Sequence, residues 1–219
     1  MRLKKYSFEA LGTLLLVVIG CGSIILNNIF GNIYGDLGIG IAFGLAVSLV
    51  IYLFGNISGA HINPAVSFGF YINNQMNRLD LLMYITFQLI GAVLGAAFLF
   101  FCFGNGFTLG ETLPKVGVIK TFFLEIFITF FLMFVILMVT RSSRIPNTIV
   151  PLIIGTTVGI LAWQIGPYTG ASMNPARSIG PAITSGKWDH LWIYILAPFM
   201  GSMLAVLCFS ILPKKKKIS

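Results

Sequence analysis

Long apolar stretches separated by short polar segments dominate this sequence. Six of them, near residues 6–27, 37–55, 80–103, 119–140, 147–166 and 189–212, have the length of about 20 residues that an α-helix needs to cross a membrane. Strands of a transmembrane barrel would instead alternate apolar and polar residues over roughly ten positions. These stretches do not alternate, so the pattern predicts an all-α membrane protein with six transmembrane helices.

Two shorter apolar stretches, 66–72 and 177–184, each follow the tripeptide Asn-Pro-Ala, at Asn63-Pro64-Ala65 and Asn174-Pro175-Ala176. Neither stretch is long enough to cross a bilayer. Asn is among the best N-cap residues, and Pro is favoured at the first helical position, where an N–H group is not needed. We therefore expect each tripeptide to begin a half-helix that enters the membrane without crossing it.

The two tripeptides lie in a longer internal match. Residues 58–69 align without gaps to residues 169–180, and seven of the aligned positions are identical. Each half of the chain, about 1–111 and 112–219, carries three predicted spans, so the second half must enter the membrane from the opposite side. Residues 1–219 are thus predicted to form one channel domain, an inverted repeat with its functional site where the two half-helices meet.

Two half-helices that enter from opposite sides bring two positive dipole ends together near the membrane midplane. The capping Asn63 and Asn174 would also present amide N–H donors there. A water or hydroxyl oxygen is satisfied at such a site, whereas a cation is repelled. The backbone before each Asn is expected to run extended and to offer pore-facing carbonyls from Gly59, Ala60, His61, Gly170, Ser172 and Met173.

Glu9 and Glu125 occupy matching places in the first span of each half. A carboxylate inside a span is costly and marks a functional site. It is expected to support the neighbouring re-entrant loop by accepting backbone hydrogen bonds, and the alternative is a proton relay. His61 similarly has two interpretations: a loop residue near the pore mouth that offers its carbonyl, or a gate that responds to protonation.

The composition agrees with a membrane protein, since 57% of the residues are hydrophobic and 9% are charged. The net charge of +8 reflects orientation rather than nucleic-acid binding. With both termini in the cytoplasm, Lys and Arg number ten on the cytoplasmic side and four on the other, as the positive-inside rule requires. Four lysines at 214–217 either anchor the chain or hold anionic lipid. Cys21, Cys102 and Cys208 are expected to be small apolar side chains, and no metal site is expected.

The repeated Asn-Pro-Ala frames and the paired glutamates resemble those of the aquaporin (major intrinsic protein) family, over essentially the whole chain. The segments 58–65, 169–182 and 191–198 are similar to the nodulin-like branch and its bacterial relatives. The resemblance implies two half-helices that form one pore in each subunit of a homotetramer, in the plasma (inner) membrane. It implies a passive channel that excludes protons and ions, without enzymatic activity or cofactor, whose partners are water, small neutral solutes and membrane lipid.

The family resemblance also assigns a selectivity filter to Phe43, Ala162, Ala171 and Arg177. Water-selective members commonly carry His at the position of Ala162, so the filter here is expected to be wider and to pass glycerol, urea and metalloid acids. Ser178 and Ala182 depart from typical glycerol facilitators, and Phe43 is typical of many water channels. A water-selective channel is therefore the first alternative, and a secondary carrier, which would need ionisable coupling residues, is the second.

Overall fold

The structure is a computed structural model that describes residues 2–213, apart from the side chains of Arg2 and Asn105. The lysines at 214–217 lie outside the described residues. Within this part of the chain the fold is entirely helical, in agreement with the predicted class. The helices are α1 (Arg2–Ile29), α2 (Gly35–Ser58), α3 (Pro64–Ile72), α4 (Arg78–Phe103), α5 (Val118–Arg141), α6 (Val150–Thr169), α7 (Pro175–Ser185) and α8 (Leu191–Ile211), with a short 3-10 turn at Gly104–Gly106.

Six of these helices, α1, α2, α4, α5, α6 and α8, are long and apolar enough to cross a membrane. In the most apolar window of each, only 33–50% of the residues are buried. The outward faces remain apolar, as the exposure of Phe101, Ile119 and Phe123 illustrates. An apolar outer surface on every long helix is what a lipid environment requires, so the protein is a multi-pass membrane protein.

The same order of helices occurs in each half: two long, one short and one long. The long helices pack as α1 against α4, α5 against α8, and α2 against α6 across the boundary between the halves. The α2–α6 contact depends on glycine, because a Cβ on Gly44 would lie 2.8 Å from the carbonyl oxygen of Gly155. Gly155 holds the matching place in the second half, and this close approach brings the two halves together around the pore.

The long helices define two ends of the bundle. We call the end where α1 begins and α8 ends the terminal face, and the other end the opposite face. At the terminal face, Lys5 of α1 pairs with Asp80 of α4 at 2.8 Å, and Arg141 at the end of α5 donates to the carbonyl of Pro213. These contacts fix the ends of α1, α4 and α5 at the terminal face.

Candidate functional site

The two Asn-Pro pairs begin α3 and α7, as predicted. Asn63 is the N-cap of α3, and its side-chain oxygen accepts a hydrogen bond from the backbone N of Ala65 at 2.9 Å. Asn174 caps α7 in the same way, accepting from the backbone N of Ala176 at 3.0 Å. Pro64 and Pro175 are the first helical residues, where the absence of an N–H costs nothing.

The two capping side chains also link the halves directly. The amide nitrogen of Asn63 donates to the carbonyl of Met173 at 2.8 Å, and that of Asn174 donates to the carbonyl of Ile62 at 2.8 Å. An amide carries two N–H donors, so each asparagine retains one for the cavity that it lines. This reciprocal pair of bonds brings the N-termini of α3 and α7 together inside the protein.

The prediction of an extended backbone before each asparagine is wrong. Ala60 and Ile62 have φ values of 48° and 45°, and Ala171 and Met173 have φ values of 40° and 52°. This left-handed region is strained for residues with a Cβ. The backbone adopts it because each loop must turn its N–H groups towards a buried carboxylate while its carbonyls face the other way.

Glu9 and Glu125 supply those carboxylates, and both are fully buried. Glu9 accepts from the backbone N of His61 at 3.0 Å and of Ile62 at 2.7 Å. Glu125 accepts from the backbone N of Ser172 at 2.9 Å and of Met173 at 3.0 Å. Each carboxylate therefore holds two consecutive N–H groups of a strained loop, an arrangement that satisfies donors otherwise costly to bury.

The support of each loop includes side chains that the sequence did not reveal. Tyr84 donates to the carbonyl of Ser58, and Tyr194 donates to that of Thr169 at 2.8 Å. Gln88 bridges Glu9 and Ser67 at 2.8 and 3.0 Å in the first half. A search of the fourth helix of each half for matched polar residues would have found the tyrosines, but Gln88 has no such counterpart.

Three cavities lie in line between the two faces. The central cavity, of about 110 Å³, is lined by Asn63 and Asn174. It shares His61 and Thr140 with a cavity of about 620 Å³ at the terminal face. At the other end it shares Phe43 and Arg177 with a cavity of about 360 Å³ at the opposite face, which we call the outer vestibule. The three cavities thus form a file that runs between the two halves of the protein.

Most of the predicted carbonyl residues lie on this path. Gly59, Ala60 and His61 line the central cavity from the first loop, and Ser172 and Met173 line it from the second. Gly170 lies in the outer vestibule instead. Ile62 also lines the central cavity and was missed, although it aligns with Met173 in the repeated frame and could have been found there. Pro64, Ala65, Pro175 and Ala176 are buried but do not line these three cavities.

The four predicted filter residues come together at the junction of the central cavity and the outer vestibule. Phe43, Ala162, Ala171 and Arg177 all line the vestibule, and all but Ala162 also line the central cavity. The guanidinium carbon of Arg177 lies 5.0 Å from the centre of the Phe43 ring. Small alanine side chains thus face a pair formed by an aromatic ring and a cation.

Arg177 is held by a loop that the sequence pattern did not identify. Its Nη1 donates to the carbonyl of Gly110 at 2.5 Å, and the side chain is buried. Gly110 lies in the segment between α4 and α5, where its φ of 77° suits glycine. The nearby Thr112 donates to Ser178 at 2.9 Å, so this segment touches the start of α7 twice.

The wall of the central cavity towards the terminal face is apolar. Ile51, Val66, Phe70 and Ile154 form part of it. The ring of His61 stacks on Phe70 with centres 4.5 Å apart, and its Nδ1 lies 3.1 Å from the hydroxyl of Ser67. The imidazole therefore packs against the wall of the pore beside the mouth of the central cavity.

The known proteins to which this chain is similar match it over nearly its whole length. A family model described as Major intrinsic protein matches residues 1–209. The chain is 37% identical to "Nodulin-26" of Glycine max over 95% of its length and 78% of that protein. It is 41% identical to "Glycerol uptake facilitator protein-like 6" of Lactiplantibacillus plantarum, over 94% of its length and 96% of that protein. The crystal structure of the aquaglyceroporin from Plasmodium falciparum superposes with a TM-score of 0.85, at 26% identity and 97% coverage of both chains.

Proposed function

Because the chain belongs to the major intrinsic protein family, we propose that residues 1–219 form one channel domain that passes water and small uncharged solutes down their gradients, without catalysing a reaction. The observation that carries the proposal is the file of three cavities between the faces, with Asn63 and Asn174 at its centre. The named similarity to a glycerol facilitator-like protein and an aquaglyceroporin supports glycerol among the solutes, and urea and metalloid acids are of similar size.

We attribute the proposed exclusion of protons and ions to the centre of this file. The N-termini of α3 and α7 meet there, and each helix end carries a partial positive charge. One N–H of each asparagine amide remains to bind the oxygen of a passing water or hydroxyl group. A water held by two donors cannot at the same time accept a proton from its neighbour, and a cation meets an unfavourable potential.

The filter at Phe43, Ala162, Ala171 and Arg177 fits a small polyol. The carbons of such a solute lie against the Phe43 ring, and its hydroxyls accept from Arg177 or donate to backbone carbonyls. Ala162 and Ala171 leave room for this width. Glu9 and Glu125 act as loop supports in this scheme, because their oxygens are already occupied by backbone N–H groups and are not free to relay protons.

The protein is proposed to lie in the plasma (inner) membrane with both termini in the cytoplasm. The excess of Lys and Arg in the segments that the sequence predicts to be cytoplasmic supports this orientation. A homotetramer with one pore in each subunit is proposed from family membership.

Stopped-flow light scattering of proteoliposomes tests the solute range. Vesicles containing the protein should shrink rapidly in an impermeant sugar, and in glycerol or urea they should then re-swell faster than empty vesicles. Shrinkage without faster re-swelling would leave a water-selective channel. Uptake that saturates and disappears when a proton or sodium gradient is collapsed would instead indicate a carrier.

Ala162→His tests the filter. The imidazole should narrow the junction and reduce glycerol flux more than water flux. Ile51→His is the matched control, because Ile51 holds the corresponding place in the first half, away from Arg177. Equal loss of water and glycerol flux in Ala162→His would count against the filter assignment.

A further inference from the structure

A buried carboxylate in the wall of the outer vestibule is not explained by the proposed function. The side chain of Glu111 is only 4% exposed. Within residues 2–213 neither of its oxygens has a hydrogen-bond partner. Lys187 Nζ lies 3.2 Å from Oε1, an ion-pair distance without hydrogen-bond alignment. Buried carboxylates normally accept hydrogen bonds, and burying one without them is costly.

The position of Glu111 in the chain indicates that it helps to hold its loop against α7. It lies between Gly110, whose carbonyl holds Arg177, and Thr112, whose hydroxyl binds Ser178. Its own partner Lys187 lies just beyond the end of α7. Three consecutive residues of one loop therefore contact α7 or the segment that follows it, and together they tie the loop to the helix that carries Arg177.

Arg177 depends on this tie because its guanidinium group has few other hydrogen-bond partners among the described residues. A guanidinium group has five N–H donors. In the described part of the chain, Nη1 binds the Gly110 carbonyl, Nε has no partner, and the Phe43 ring lies beneath the group. The position of the Gly110 carbonyl therefore largely determines where the guanidinium lies across the junction of the two cavities.

We infer that Glu111 is a positioning residue for the filter: its ion pair with Lys187 fixes the Gly110 carbonyl, which fixes Arg177, and the pair thereby determines how sharply the channel discriminates among solutes. This inference rests on the proposed function. It places a specificity determinant outside the four filter residues, in a loop of irregular structure. The negative charge of Glu111 also offsets the charge of its ion-pair partner Lys187 and that of Arg177, which lines the same vestibule.

The test is a double-mutant cycle on the full chain in proteoliposomes, with Glu111→Gln, Lys187→Gln and the double variant. The readout is the ratio of glycerol flux to erythritol flux, which does not depend on how many copies fold. Glu111→Gln should lower the ratio by at least about twofold, the low end for coupling between contacting groups. Lys187→Gln should also lower this ratio. The double variant should lower the ratio no further than Glu111→Gln alone.

Lys115→Gln is the matched control for Lys187→Gln, because Lys115 lines the same vestibule. The two substitutions change the net charge by the same amount. Lys115→Gln should leave the ratio unchanged. Lys187 is half exposed, so its substitution tests the pair even if Glu111→Gln folds poorly. An unchanged ratio in Lys187→Gln, or strictly additive effects in the cycle, would overturn the inference.

Failure of the proposed solute range is distinguishable from failure of this inference. If the unmodified protein carries water but neither polyol, the solute range is rejected. The same cycle is then measured as water permeability per reconstituted copy. Equal changes of water permeability in Glu111→Gln and Lys187→Gln, with no further change in the double variant, support the ion pair. Unchanged permeability in both single variants overturns it.

Discussion

The two halves of this protein share a scaffold but not a lining. In each half a buried glutamate holds two backbone N–H groups of a loop with left-handed residues, and an asparagine caps the half-helix that follows. The side chains that face the pore differ. Val66 in the first frame stands where the second has Arg177, and His61 stands where the second has Ser172.

The same contrast continues on the long helices. Phe43 of α2 corresponds to Ile154 of α6, and Ala162 of α6 corresponds to Ile51 of α2. The end of the pore near the opposite face therefore combines an aromatic ring with a cation and small side chains, whereas the wall towards the terminal face is mostly apolar and has no charged side chain among the described residues of the central cavity. The two halves repeat the same scaffold, and the charged side chain of Arg177 lines the central cavity near the opposite face only.

The largest expected effect on stability and water flux comes from removing the buried glutamate that each half contains. Glu9→Leu and Glu125→Leu each leave buried backbone donors without a partner, at about 1–3 kcal/mol per donor. Glu9 accepts from four groups, including Gln88, and Glu125 accepts from three. Both variants should lose stability and water flux, with Glu9→Leu the more severe, as measured by thermal unfolding in detergent and by stopped-flow scattering.

Glu9→Gln and Glu125→Gln are the matched controls, because they keep the shape of the side chain and one good acceptor. They should fall between the Leu variants and the unmodified protein. If the Leu variants fold and conduct normally, the strained loops do not depend on the carboxylates and the shared scaffold lies elsewhere.

A second effect, on solute discrimination, comes from exchanging the pore-lining residues that differ between the two halves. Arg177→Val gives the second half the residue of the first and removes the charge from the filter. We expect weaker discrimination between glycerol and erythritol, and a measurable cation leak, because the remaining barrier depends on the helix ends alone. Both are measured as flux into vesicles, with Arg177→Lys as the control that keeps the positive charge.

The reverse exchange, Val66→Arg, places a long cationic side chain in the apolar part of a cavity of about 110 Å³. Water flux should fall close to that of empty vesicles, while the protein still folds as shown by size-exclusion chromatography. If Val66→Arg conducts well, or Arg177→Val retains full discrimination, the two ends of the pore are not as different as their side chains indicate.

The sequence predicted the scaffold well because its signals are local. An Asn-Pro pair specifies where a helix begins, and an apolar stretch of sufficient length specifies a span, whatever the rest of the chain does. The φ values of Ala60 and Ile62 were not predictable in this way, since they depend on Glu9, which lies in a different helix. Gly110 was missed for the same reason: nothing in its own segment shows that its carbonyl meets Arg177.

The smallest expected effect concerns His61, the one titratable side chain in the paired loops. Desolvation of the ring by its packing against Phe70 lowers the pKa of His61 below 6.5, so we expect water flux to change little between pH 8 and pH 5. The unfolded chain binds a proton below about pH 6.5, so this residue lowers the stability of the folded state as the pH falls below that value.

His61→Ser gives the first loop the residue of the second. It removes the stacking on Phe70 but keeps the backbone N–H that Glu9 accepts, so water flux should change only slightly and remain independent of pH. The measurement is stopped-flow scattering of both proteins between pH 8 and pH 5. A fall in flux at acid pH that is present with His61 and absent with Ser would show that the imidazole is protonated in the pore and acts as a gate. The difference between the two loops would then concern regulation as well as packing.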